Sequence, residues 1–297
     1  MKRWSAVGGA ALVCCCAAAW ADRGSIPFRP NVKIFEPNQR AMIAWNGTEE
    51  ILLLSTDLRA SAETKVLEVL PLPSEPKVKK GSLKTFETAT AIINRHLQRP
   101  KNLARGGRSL GAEDARAPAG MVTFHKKIGP HEVSVTKVLD GARFATWVEQ
   151  YLAKQGVAKA VIPEKLRAIV EGYIRGGFGW FVFDVVSLSP KVTTIEPLQY
   201  RFATTSLFYP LRITMLEEGD TSIDLIVLTP KLLSTFPGLP IRRVGLKHPP
   251  ITISAEELRS ISDEMYELLG RRASMRLRIW QCAGPIASFD QDLIARE

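Results

Sequence analysis

The 297-residue chain carries 40 Lys and Arg against 30 Asp and Glu, a net charge of +10, and is 45% hydrophobic. That length buries a core without covalent staples, and beyond residue 21 only Cys282 remains of its four cysteines, which excludes an intramolecular disulfide. Beyond the same residue no apolar run reaches the roughly 20 residues of a membrane span, the longest (residues 178–186) being interrupted by Asp184.

The first 21 residues read as an export signal. Lys2 and Arg3 precede an apolar run over residues 6–19, and Ala19-Trp20-Ala21 fits the small-x-small cleavage rule, so that Asp22 begins the mature chain. Cys14, Cys15 and Cys16 raise a lipoprotein reading, but Val13 and cysteines precede them where that site needs a small residue. Loss of Lys2 and Arg3 lowers the net charge from +10 to +8. A basic exported chain suits an anionic envelope polymer, a phospholipid head group or nucleic acid, with plain solubility as the simpler account.

Residues 22–37 hold three prolines and read as extended coil with a short strand at 32–35. Two strands follow, residues 40–45 and 50–56, joined at Asn46-Gly47, whose tolerance of positive φ suits a tight hairpin. Ala41, Ile43 and Trp45 share one face, Met42 and Ala44 the other, and residues 51–54 are apolar on both. A strand apolar on both faces is covered on both, so this hairpin is expected at the centre of a sheet. Residues 65–70 continue as a strand, and the near-alternate prolines of 70–76 mark a sheet edge or a polyproline-like connector.

Ser82 caps a helix running to about Leu97, with Leu83, Phe86, Ala89, Ile93 and Leu97 on one face and His96 at its rim. Residues 99–121, rich in Gly, Ala and Arg and without period, read as a long mobile basic loop. A second hairpin pairs 121–127 with 132–139, Val133, Val135 and Val138 pointing inward. Asp140 caps an amphipathic helix (Phe144, Trp147, Val148, Tyr151, Leu152) that Gly156 stops. Pro163 opens another (Leu166, Ile169, Val170, Tyr173, Ile174), ended by Gly176-Gly177. Residues 178–188 then form a buried strand beneath the two helices. A third hairpin joins 208–215 to 221–228. The capping box Ser254-Ala255-Glu256-Glu257 opens a helix carrying Leu258, Ile261, Met265 and Leu268 as far as Gly270. The last strand, 274–281, turns Met275, Leu277 and Ile279 inward and Arg276, Arg278 and Trp280 outward.

These elements predict an α+β fold, mostly antiparallel sheet built from hairpins with about four interleaved helices. The division is a signal (1–21), a sheet-and-helix subdomain (22–98), the basic loop (99–121) and an α+β subdomain (122–297), or one compact unit over 22–297. An internal echo goes further. Glu36-Pro37-Asn38-Gln39 precedes the first hairpin and Glu196-Pro197-Leu198-Gln199 the third, each hairpin having an acidic turn and a later helix and strand. The echo predicts two related β-β-α-β units with the helical pair 142–175 inserted between them.

The chemistry is sparse. Glu49 and Glu50 are adjacent, so on a strand they face opposite ways and cannot act as a dyad. Asp184 lies inside an apolar strand, where a carboxylate needs a partner, a function, or a face left partly uncovered near the sheet end. These three are the candidate acid–base residues. His125 and His131, six residues apart across a hairpin turn and followed by Glu132, are the metal candidates, but no third histidine, HExxH or CxxC accompanies them. The candidate binding groups are Trp45 and Asn46 beside the acidic turn, and Arg276, Arg278 and Trp280 as a cationic stacking surface, with a charged edge strand as the plainer alternative. Cys282, isolated at a strand end, reads as a small core residue. No phosphate loop or nucleophile motif is present, so neither a cofactor nor a nucleotide is expected. One Arg-Gly-Gly copy without interleaved aromatics is weak evidence for nucleic acid, and a flexible excursion is the simpler reading.

The segments DRGSIPF, QRAMIAWNGTEEILLLST, LFYPLRIT and DLIVLT resemble an exported prokaryotic family, domain of unknown function 2330, over roughly residues 22–228. The resemblance implies export and, in some members, a C-terminal membrane anchor, from which this chain departs in its polar DQDLIARE. It implies no activity and no catalytic residues. The reading that follows is an exported, non-catalytic envelope or extracellular protein that binds an anionic envelope polymer or another envelope protein. The alternative is a hydrolase of a cell-envelope polymer using the acidic residues.

Overall fold

The computed structural model describes residues 24–29, 31–98, 124–157, 162–216, 220–233 and 244–296. The expected export signal and the basic loop 99–121 lie outside the described residues. The strands are β1 (Gly24–Pro27), β2 (Ile34–Trp45), β3 (Glu49–Ala60), β4 (Thr64–Leu72), β5 (Lys77–Lys80), β6 (Phe124–Ile128), β7 (His131–Lys137), β8 (Trp180–Leu188), β9 (Thr193–Thr194), β10 (Leu198–Ala203), β11 (Leu207–Tyr209), β12 (Asp220–Thr229), β13 (Val244–Leu246), β14 (Ile251–Ser254), β15 (Ser274–Pro285) and β16 (Leu293–Ala295). The helices are α1 (Leu83–Gln98), α2 (Gly141–Lys154), α3 (Glu164–Arg175), α4 (Ala255–Ile261) and α5 (Asp263–Leu268). The α+β class with antiparallel sheets is as the sequence predicts.

The β2–β3 hairpin sits where its two-sided apolar pattern requires, inside a nine-stranded sheet of order β13-β15-β12-β2-β3-β10-β5, with β14 on β15 and β9 on β3. One face (Met42, Ala44, Ile51, Leu53) packs against α1, α4 and α5 through Phe86, Ile92, Ile93, Leu258 and Met265. The opposite face (Ala41, Ile43, Trp45, Leu52, Leu54) joins a second core shared with a five-stranded sheet of order β1-β4-β8-β7-β6. On that smaller sheet α2 lays Phe144 against Phe181 and Phe183, with ring centroids 6.0 and 5.9 Å apart. Each fully buried Leu, Ile or Phe in these layers contributes about 1.5–3 kcal/mol, so the double-sided hairpin anchors both cores at once.

Local signals behave as their chemistry dictates. Gly47, at φ +105°, turns the hairpin. Asp140 caps α2 by accepting from the Arg143 amide, and Ser254 forms the capping box with Glu257. Pro71 stands opposite Phe181 of β8 and lies past the last rung that β1 makes with β4 among the described residues.

Four expectations are corrected. The third hairpin does not form: Pro210 follows Tyr209, β11 pairs with β16, and a 3-10 turn (Arg212–Leu216) comes next. Strand β12 instead lies parallel to β2 and antiparallel to β15, which saturates both its edges. The predicted duplication falls with it. Residues 41–56 make a hairpin and 208–228 do not, and β6 belongs to the small sheet whereas β15 belongs to the large one. The single helix after Ser254 is two, because Ser262, extended at φ −164° and ψ 119°, caps α5 by accepting from the Met265 amide. Finally the middle of β15 is covered on both faces: of the three side chains expected outward, Arg276 is exposed, while Arg278 and Trp280 are 1% and 6% exposed.

Candidate functional site

The sequence-nominated residues are dispersed, and most are tied into structure. Glu49 and Glu50 face opposite ways, as adjacent strand residues must. Glu49 forms a half-exposed ion pair with Arg201 at 2.7 Å. Glu50 is fully buried, opposite Trp45 in the hairpin ladder, and its Oε2 accepts the Phe208 amide at 2.8 Å. Burial pushes its carboxyl well above the ordinary range, against the opposing pull of that one amide. Trp45 donates to the Thr204 carbonyl at 3.3 Å. Asn46 accepts from the Thr48 and Glu49 amides, both at 2.8 Å, and donates to the Leu268 carbonyl at 3.1 Å. Its amide therefore builds the turn and fastens it to the end of α5.

Asp184 does not lie on a partly covered face. It is 2% exposed in mid-strand, and its Oδ2 lies 2.5 Å from Nδ1 of His131, itself 2% exposed. Nε2 of His131 lies 2.7 Å from the Glu196 carbonyl oxygen. A carbonyl only accepts, so Nε2 carries a proton, and the short Nδ1–Oδ2 contact holds a second one. The couple thus shares one proton beyond a neutral imidazole and a carboxylate, which balances its charge and lets both groups stay buried. A catalytic imidazole needs one nitrogen aimed at substrate, and here both are spent inside the protein.

The same interior layer holds two carboxylates that sequence reasoning missed. Glu68 stands directly opposite Asp184 in the β4–β8 ladder, and Ser25 stands opposite Glu68 in β1–β4. Ser25 donates to Glu36 of β2 at 3.3 Å, across the gap between the two sheets. Glu36 and Glu68 are each 1% exposed, so this layer meets no solute from solvent. The sequence nominates neither as a site residue, because a single acid in a strand says nothing about what lies above it.

His125 stands opposite Ser134, and His131 opposite Ile128, three residues apart along the β6–β7 ladder. That separates their backbone positions along the ladder by about 10 Å. Glu132 takes hydrogen bonds from Tyr151 and Gln155, both at 3.3 Å. Among the described residues no three His, Cys, Asp or Glu are arranged to hold a metal ion. Arg278 points inward rather than forming a cationic surface. It donates to the Leu233 carbonyl and, at 3.0 Å, to Thr229, and burial lowers its pKa to about 10. Arg276 reaches the Thr252 hydroxyl. Cys282 is a buried core residue.

What the structure offers to solvent lies elsewhere. A cleft of about 580 Å³ opens beyond the C-terminal end of α2. Its floor is the cross-strand pair Lys65 and Ser187 on the helix-covered face of the small sheet. One wall is Phe28 and Arg29, seated when their amides donate to the Lys65 carbonyl (2.9 Å) and the Thr64 hydroxyl (3.3 Å). The other wall is Gln155, Gly156 and Val157, where Gly156 at φ +85° turns the chain off α2. Ser189 and Thr193 close the end, and Glu63 stands at the rim. Arg29, Lys65 and Glu63 form no ion pair among the described residues. None of the sequence-nominated residues lines this cleft, and no local pattern marks it, since its members come from four separate segments.

A family model described as an uncharacterised protein conserved in bacteria, DUF2330, matches residues 12–234. Two solved structures are similar to this chain. One is the crystal structure of baculovirus P35, 9% identical, covering 91% of this chain and 99% of that one with a TM-score of 0.41. The other is a mutated baculovirus P35 after caspase cleavage, 9% identical, covering 88% and 99% with a TM-score of 0.39. No curated protein matches.

Proposed function

The chain belongs to the DUF2330 family of uncharacterised proteins conserved in bacteria, and from that premise we propose that it is an exported, non-catalytic binding or structural protein of the cell envelope or the extracellular space. Export rests on the basic, apolar and small-x-small pattern of residues 1–21. No helix among the described residues is long and apolar enough to cross a membrane. The partner is an anionic envelope polymer or another envelope protein, in keeping with the basic charge.

One observation carries the binding reading: every acidic residue nominated for catalysis is engaged away from the cleft. Glu50 is buried under the Phe208 amide, Asp184 is held by His131, and Glu49 is paired with Arg201. Among the described residues the cleft brings together hydroxyls, two cations and a single carboxylate, where polymer hydrolysis uses two carboxylates. The test is to incubate chain 22–297 with the envelope fraction, recover what it retains, and assay the supernatant for released fragments. Retention without release is expected. Turnover that Glu50→Gln or Asp184→Asn abolishes would replace this reading with the hydrolase.

A further inference from the structure

We infer that the cleft between Phe28–Arg29 and the end of α2 is a binding site for an acidic saccharide, a polyhydroxylated chain whose sugars carry carboxylates. This deepens the proposed binding role and rests on it. Three features of the lining select that chemistry. Arg29 and Lys65 are exposed, face the cleft and have no acidic partner among the described residues, so a carboxylate entering there gains charge-assisted hydrogen bonds without breaking existing ones. Ser187, Ser189 and Thr193 offer hydroxyls, and Glu63 adds an acceptor for sugar hydroxyls. Phe28, half-buried, supplies an apolar surface for the C–H face of a sugar ring. Among the described residues the Glu63 carboxylate offsets one of the two cations, which favours a chain with one carboxylate per sugar over the denser charge of a polyphosphate. The volume falls within the about 300–1,000 Å³ usual for ligand sites. The cleft is open rather than enclosed, so a segment within a polymer can lie in it as well as a free end.

The experiment is calorimetric titration of chain 22–297 with oligogalacturonate, with its neutral methyl ester and with inorganic polyphosphate. Oligogalacturonate is expected to bind. The methyl ester, with the same rings and no charge, should bind about tenfold more weakly or worse, the loss of one charge-assisted contact. Polyphosphate should bind less well than oligogalacturonate. Arg29→Ala and Lys65→Gln should each weaken oligogalacturonate binding about tenfold, and Lys65→Arg should retain it. Both positions are exposed, and unchanged circular dichroism and melting temperature establish that the variants fold. Equal binding of polyphosphate, binding indifferent to both substitutions, or no binding of oligogalacturonate overturns the inference. If the wild type and the Arg29→Ala/Lys65→Gln double variant retain the same envelope polymer equally, the cleft assignment fails while the binding role stands. If the wild type retains nothing, the role itself fails.

Discussion

At the scale of single residues, the molecule turns on buried ionisable groups that are satisfied in different ways. His131 and Asp184 satisfy each other. Removing one partner strands the other's charge or proton in the interior, so His131→Ala or Asp184→Ala should cost about 3–5 kcal/mol in denaturant unfolding. Asp184→Asn should cost less, because its amide can donate to Nδ1 of a neutral His131 whose Nε2 still donates to the Glu196 carbonyl. Equal losses for Ala and Asn would argue against the shared proton. Glu50 has one backbone donor and is fully buried, and its raised pKa makes the folded state hold a proton that the unfolded chain releases. The stability associated with Glu50 is therefore full below the unfolded value of about 4.3 and lost as pH rises toward the folded value. Glu50→Gln, neutral at all pH and still able to accept from Phe208, should leave stability unchanged at pH 3.5 and raise it at pH 7. A stabilisation that does not vary with pH would contradict the assignment. The pair Glu49–Arg201, half exposed, belongs to the class of surface bridges contributing about 0–1 kcal/mol.

At the scale of elements, turns and caps decide where strands and helices stop. Gly47 occupies φ +105°, where a Cβ is strained even though open space surrounds it. Gly47→Ala should destabilise by about 1 kcal/mol. Ser254 and Ser262 each accept an amide at a helix start, so Ser254→Ala and Ser262→Ala should each cost about 1 kcal/mol. The first cap has a second layer. Glu257 also takes His96 at 2.9 Å and Arg95 at 3.3 Å, joining α4 to the end of α1. Burial would raise the Glu257 pKa, but the Ser254 amide, His96 and Arg95 outweigh it and hold the carboxylate below its usual range. Its contribution is present above the unfolded pKa and lost as pH falls through the folded one. Glu257→Gln should therefore destabilise at pH 7 and lose that penalty in acid, as read from unfolding midpoints at both pH values.

At the scale of the whole molecule, strands from before and after residues 99–123 pair with one another in both sheets. β4 is flanked by β1 and β8, β2 by β3 and β12, and β10 by β3 and β5. The buried layer of Glu36, Ser25, Glu68, Asp184 and His131, with the Glu196 carbonyl, links the sheets where they face each other. A chain so interleaved is expected to unfold as one unit. Calorimetry of chain 22–297 should give one transition with equal calorimetric and van't Hoff enthalpies. Two separable transitions would instead favour a division at residues 99–121.

The sequence by itself determined what depends on near neighbours. Period-two and period-3.6 apolar patterns located β2, β3, α1, α2 and α3. The Asn46-Gly47 turn and the caps at Asp140 and Ser254 follow from side chains within three residues of their targets. Adjacency alone separated Glu49 from Glu50. Only the tertiary structure decided what depends on partners distant along the chain. A strand has two edges and its pattern names neither neighbour, so β12 gave no sign that it joins β2 in parallel instead of closing a hairpin with residues 208–215. Alternation along β15 placed Arg278 and Trp280 outward because it cannot reveal a second layer covering that face. Asp184 disclosed the need for a partner but not its identity, since His131 is 53 residues away and reaches it through pairing of β7 with β8. The cleft was the least legible feature: Arg29, Lys65, Gln155 and Ser187 are unremarkable singly, and only the docking of their four segments brings them together.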